Sequence, residues 1–200
     1  MKDVKTRFLY ALYGLGIAIV LIGSSVYTLW GLYYQHWEGD FARRMTRIFP
    51  IPVAKIGNDS LLYRVYFEDL DSLQTYLTSA ELQGSGVSAE MTDDQREQVL
   101  ERMMQEYLIL RLGDEKQVQI SEDEIATAIE TEFLGEGESM EDFEVYLRDN
   151  YAWSLDDFKR HLVRPILIER KLMEEDETFS LQVYLDERLA EDDIVRLIRF

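Results

Sequence analysis

Between Phe8 and Gln35 the chain runs for 28 residues without a formal charge. As a helix this run reaches about 42 Å at ~1.5 Å per residue, which exceeds the ~30 Å hydrocarbon core of a bilayer and leaves room for tilt. Its flanks carry amphipathic rings, with Phe8, Tyr10 and Tyr13 at one end and Trp30, Tyr33, Tyr34 and Trp37 at the other, as expected of residues seated at two membrane interfaces. A cleaved signal peptide fits less well. The apolar region is too long, and the small residues Gly23, Ser24 and Ser25 lie inside it rather than after it. The run therefore reads as an uncleaved transmembrane helix that places residues 8–35 in a lipid bilayer. Gly14, Gly16 and Ala18 form a small-residue stripe through which such a helix can pair in a homodimer.

Lys2, Lys5 and Arg7 precede the run closely, whereas Arg43, Arg44 and Arg47 follow at a distance, interleaved with Glu38 and Asp40. Proximity favours a cytoplasmic N-terminus, with the remainder outside the cytoplasm. That remainder is strongly acidic, since the whole chain carries a formal net charge of −18 at pH 7. Phosphate backbones repel such a surface, which argues against nucleic acid as a partner. The chain has no cysteine, so no disulfide framework enters the fold.

After Pro50 and Pro52, Val53–Ile56 reads as a short strand, Gly57–Asp59 as a turn and Leu61–Leu77 as a helix. Gly84, Ser85 and Gly86 mark a loop. The clearest helix start is at Thr92, which has capping-box spacing to Gln95. Val99, Leu100, Met103, Met104, Tyr107 and Leu108 then recur on one face, while Ile109, Leu110 and Leu112 make the far end apolar all round. This helix is expected at the centre of a mainly α domain. Ser121 with Glu124 opens a further helix to about Phe133, and Ser139 caps another. Ser154 begins a longer one to about Glu174, with Phe158, Leu162, Ile166, Leu167 and Leu172 expected inward. Pro165 should distort that helix near His161, because its ring and missing amide break one turn.

Catalytic chemistry has little to work with. His36 and His161 are isolated from each other and from any nucleophile motif, which leaves no ligand set for zinc and no triad. Acidic pairs such as Asp156 with Asp157 read as caps and solvated faces, and no glycine-rich phosphate loop follows a strand. The sequence reads as a non-enzyme without metal or cofactor.

Taken in order, VAKIGNDSLLYRVYFEDL, LILRLGDEKQVQISEDEI, SMEDFEVYLRDN and SLDDFKRHLVRPILIERKL resemble the N-terminal chaperone domain of the SurA, PpiD and PrsA-type foldases over residues 53–174. Two local departures stand out: Gly57 precedes Asn58, where the family has Asn before Gly, and Gln117 occupies a turn position often held by Gly. The resemblance implies a helical client-binding domain and a following parvulin-type prolyl isomerase domain, for which residues 176–200 leave no room. It also implies that the last segment packs back on the chaperone domain. The resulting expectation is a cytoplasmic stub and anchor over residues 1–37, a juxtamembrane linker over 38–52, the chaperone-like domain over 53–174 and a returning segment over 175–200. Such a chain would be a single-pass protein of the inner (cytoplasmic) membrane that holds unfolded or extended polypeptide outside the cytoplasm without isomerising it. The alternative is a scaffold subunit binding one folded partner.

Client capture needs adaptable apolar surface, which flexible methionines and amphipathic aromatics supply. Met103, Met104, Tyr107, Met140, Tyr146 and Trp153 are the candidate client-binding residues. The same spacing also suits plain core filling.

Overall fold

The computed structural model describes residues 2–200 except 83–85, 87, 136, 177 and 192, and in the first helix the side chains of 2–15, 18 and 21 are outside the description. Gly14 and Ala18 of the dimer stripe, the first aromatic belt (Phe8, Tyr10, Tyr13) and the loop residues Gly84 and Ser85 thus lie outside the described residues. Helix α1 spans Lys2–Gln35 and α2 spans Asp40–Ile48. Among the described residues no helix is long and apolar enough to cross a membrane.

Strands β1 (Pro52–Ile56) and β2 (Asp59–Leu62) form an antiparallel hairpin joined by the two-residue turn Gly57–Asn58. Where the sequence reading placed one strand, there are two, and Leu61 and Leu62 belong to β2 rather than to the helix that follows. The turn explains the inverted Gly–Asn order. Gly57 has φ +59° while Asn58 keeps negative φ, as a hairpin turn with glycine at its first central position requires. A third strand, β3 (Ile194–Arg196), pairs antiparallel with the other edge of β1, giving the order β2-β1-β3. The end of the chain, expected as a returning segment, is thus a helix and a strand.

Helix α3 (Tyr63–Leu77) leads to α4 (Asp93–Glu115), which starts at a complete Thr92–Gln95 capping box. The exit of α4 is a Schellman turn. The Val118 amide bonds the Gly113 carbonyl and the Gln117 amide bonds that of Asp114, with Gln117 itself at φ +58°. Helix α5 (Glu122–Ala128), again opened by a capping box at Ser121–Glu124, widens into a π-helical turn over Ile129–Phe133. Helix α6 (Met140–Tyr151) follows its Ser139 cap.

The expected long helix from Ser154 is divided into α7 (Leu155–Phe158), a π-helical turn at Lys159–Val163 and α8 (Arg164–Glu175). The wider turn falls where Pro165 withholds an amide and crowds the carbonyl of residue 161. An extra residue in the turn also shifts the helix phase. Leu162, expected inward, is consequently exposed, and Ile166 is only half-buried.

Helix α9 (Leu181–Leu189) precedes β3. The main core gathers β1, α3, α4, the second half of α8 and α9 around Tyr63, Leu70, Leu100, Met104, Leu108, Ile168, Leu172, Leu185 and Ile198. A second cluster unites α5, α6 and α7 around Ile125, Phe143, Leu147 and Phe158. Residues 38–52, expected as a linker, are ordered against the domain: Ala42 and Ile51 join the main core, and Arg43 of α2 pairs with Asp71 of α3 at 2.6 Å.

Candidate functional site

Helix α6 ends because Ala152 takes the left-handed conformation, φ +55°, and Ser154 at once caps α7 with Asp157 in a capping box. Two helix termini three residues apart force the intervening side chains into a tight corner. Trp153 is turned onto the ring of His161 in the π-helical turn, with centroids 5.4 Å apart and planes at 20°. Tyr151 stacks on Trp153 at 5.4 Å and on Tyr76 of α3 at 5.1 Å, while Tyr146 meets Tyr151 edge-on at 6.1 Å. Rings from α3, α6, the corner and the π-turn therefore form one ladder, in the offset and edge-on geometries that aromatic quadrupoles favour. Burial and the neighbouring Tyr146 hydroxyl push the Tyr151 phenol up to about 12.

A polar base holds the buried end of this ladder. His161 is nearly enclosed, with Nδ1 at 2.6 Å from Glu106 Oε2 and Nε2 at 2.9 Å from Arg160 Nη2. A carboxylate only accepts and a guanidinium only donates, so the ring carries its hydrogen on Nδ1 and accepts at Nε2. Asp69 lies beyond, with Oδ1 3.9 Å from that nitrogen. Arg102 Nη2 stands 3.1 Å from Asp69 Oδ2, but outside hydrogen-bonding geometry, so Oδ2 is buried without a hydrogen bond. Burial raises the Asp69 carboxyl above the usual range, and the charge of Arg102 offsets this only in part.

Trp153 separates two shallow concavities. One, of about 300 Å³, is walled by Asp69, Ser72 and Arg160; the other, of about 510 Å³, by Glu144, Arg148 and Leu155. Their walls mix charged side chains with apolar surface, and the aromatic corner lies between them.

The six sequence-derived candidates are not brought together. Met103 and Met104 are buried in the main core and present no surface, because their stripe of α4 is the one packed under the other helices. Tyr107 packs against the same core toward the hairpin, where its hydroxyl donates to Asp59 Oδ2 at 2.5 Å. Met140 covers the second cluster. Only Tyr146 and Trp153 share a site, through Tyr151. Sequence reasoning missed Tyr76 and the stacking of His161. The available signal was the run Tyr151–Ala152–Trp153 between one helix and the next cap, which predicts a corner without saying what it faces.

A family model for the SurA-like N-terminal domain matches residues 5–172. The match thus begins within α1, well before the stretch from Val53 on which the sequence resemblance rests. No curated protein and no solved structure matches the chain. With its capped helices, hairpin entry and helix order in place, and with the match covering most of its length, the chain belongs to the SurA-like N-terminal domain family.

Proposed function

We propose that this chain is a membrane-tethered, extracytoplasmic chaperone-type module that holds unfolded or extended polypeptide at the corner formed by Tyr76, Tyr146, Tyr151 and Trp153. Family membership supports a chaperone-type role. The observation that carries the site is the ring ladder itself. It offers half-exposed aromatic surface already fixed in place, so a client loses conformational freedom on binding but the receptor loses little. Affinity for a loose segment is accordingly modest, on the order of micromolar.

The tether rests on the uncharged sequence Phe8–Gln35 and on the continuity of α1 through it. Its described apolar side chains, among them Ile17, Ile19, Val20, Ile22 and Val26, point away from the rest of the chain. In this reading the N-terminus is cytoplasmic and α2 onward lies outside.

The test is suppression of aggregation of a reduced, unfolded protein by the full chain in vesicles, alongside Tyr146→Ala and Tyr76→Ala. Suppression weakened about tenfold by these changes, with no acceleration of prolyl isomerisation, is the expected result; a rigid-anchor aromatic is worth about 1–2 kcal/mol in such a contact. Unchanged suppression in both variants would remove the corner from the proposal, and no binding at tens of micromolar would remove the holdase role.

A second reading draws on exposed Leu162 and Met173, with half-buried Ile166 between them, along the π-turn and α8, which suits a folded partner. Recovery of one stoichiometric membrane partner, lost on Met173→Glu, would favour it.

A further inference from the structure

Helix α2 is built inside out. Phe41, Arg44, Met45 and Ile48 recur at helical spacing on one face, and the opposite face is Ala42, Arg43 and Thr46. The domain receives the small and polar side: Ala42 is 1% exposed and Thr46 4%. The large apolar side chains point away, with Phe41 57% exposed, Ile48 70% and the adjoining Phe49 51%. A helix that buries alanine and threonine while presenting two phenylalanines and an isoleucine has a second apolar neighbour outside the chain.

Three observations identify that neighbour as a lipid surface. First, the chain reverses immediately after α1. His36 takes φ +48°, the Trp37 amide bonds the Gly31 carbonyl at 3.1 Å, and the Trp37 indole lies edge-on to Tyr27 at 4.9 Å, so the residue leaving α1 folds back onto it just before α2. Gly31 permits this reversal, since a Cβ there would meet the Trp37 ring at 2.4 Å. Second, the exposed apolar stripe is bordered by Arg44 and Arg47, and among the described residues neither has an acidic partner, although the chain carries a net charge of −18. Arg43, on the domain side, is by contrast paired with Asp71 and lies over the Phe67 ring. Third, apolar residues bordered by arginine on a short helix beside an uncharged rod match the physics of an interfacial helix: rings and aliphatic chains enter the acyl boundary while guanidinium groups meet phosphates.

We infer that α2 lies on an anionic phospholipid surface, with Phe41, Ile48 and Phe49 in the headgroup–acyl boundary and Arg44 and Arg47 on lipid phosphates. The inference rests on the reading of α1 as a membrane span. It sets how the acidic domain meets the bilayer: the domain touches lipid at the basic, apolar face of α2 and is held by α2 as well as by α1.

The chain has no cysteine, so single labels are unambiguous. The full chain carrying Ile48→Cys with a nitroxide is reconstituted in vesicles of phosphatidylcholine with roughly one-third phosphatidylglycerol, and a Val183→Cys label on exposed α9 serves as the water reference. The expected result is that the Ile48 label is more accessible to oxygen than to a water-soluble nickel chelate, the Val183 label showing the reverse. Arg44→Glu with Arg47→Glu should shift the Ile48 label toward water by about tenfold in the ratio of its two populations. Alkaline carbonate extraction of the same vesicles separates the two readings. Retention of the chain with an Ile48 label as wet as the Val183 label overturns the α2 proposal alone, whereas release of the chain overturns the span and this proposal with it.

Discussion

The hydroxyl of Tyr63, buried at the start of α3, donates to the carbonyl of Leu32 in the last turn of α1 at 2.9 Å. That carbonyl is one of the helix-end acceptors left without an intrahelical partner. Its neighbours are met in the same way, Gly31 by the Trp37 amide and Tyr33 by the Arg199 amide. The end of α1 is therefore capped by the domain and belongs to its core, as the complete burial of Leu32 requires. Tyr63→Phe should lower unfolding stability by about 1–2 kcal/mol, since it strands a buried acceptor. Chemical denaturation of the chain in detergent micelles measures it, and a change within error of zero would mean that the end of the rod is not held by this bond.

The final residues clasp both the sheet and α1. Leu197 donates its amide to Val53, Arg196 reaches Glu101 at 2.8 Å, and Ile198 is buried in the main core. Ile198→Ala should cost about 2–4 kcal/mol, the range for truncating a buried isoleucine. Hydrogen exchange at the Leu197 and Arg199 amides should quicken more than exchange in α6, which lies in the second cluster.

Among the described residues three other than glycine hold left-handed backbone at helix ends, His36 after α1, Gln117 after α4 and Ala152 after α6. Gln117→Gly and Ala152→Gly should each raise stability by about 0.5–1 kcal/mol, the relief of the Cβ clash exceeding the entropy of the freer unfolded chain. The reverse change at the hairpin, Gly57→Ala, should destabilise by about 1 kcal/mol or more. Thermal melts of the three variants check the signs together.

Glu124 closes the α5 capping box on Ser121 and pairs with Lys171 at 2.5 Å, and the Lys171 contact followed by the Ser121 bonds draws its carboxyl down to about 2. A depressed carboxyl stabilises the fold above its ordinary value of 4.5, and that contribution is lost as pH falls toward about 2. Melting temperature should therefore drop between those limits, and Glu124→Gln should flatten the slope there while lowering the neutral-pH plateau. An identical slope in the variant would assign the acid limb to other carboxylates.

The helix starts were legible because each is a local device. Thr92 with Gln95 and Ser121 with Glu124 satisfy orphan amides within three residues, and the structure has both boxes complete. The disturbance near His161 was legible for the same reason, although its form, a π-turn that rotates Leu162 outward, was not. The candidate site was read less well. Methionine and aromatic residues at helical spacing suit a core and an open surface equally. Met103 and Met104 went inside because α4 is covered, and Tyr146 stayed half-exposed because α6 lies at the margin of its cluster.

By itself the sequence determined helix beginnings, the mainly helical class and the uncharged rod, all of which follow from residues within a turn or two of one another. Tertiary structure alone decided that β3 completes the sheet, that Tyr63 and Arg199 cap α1, that Trp153 stacks on His161 and that α2 turns its apolar face outward. The reason is physical: the long-range pairings join residues whose separation along the chain carries no local energetic signature, and the outward face of α2 is defined only by which side the domain covers.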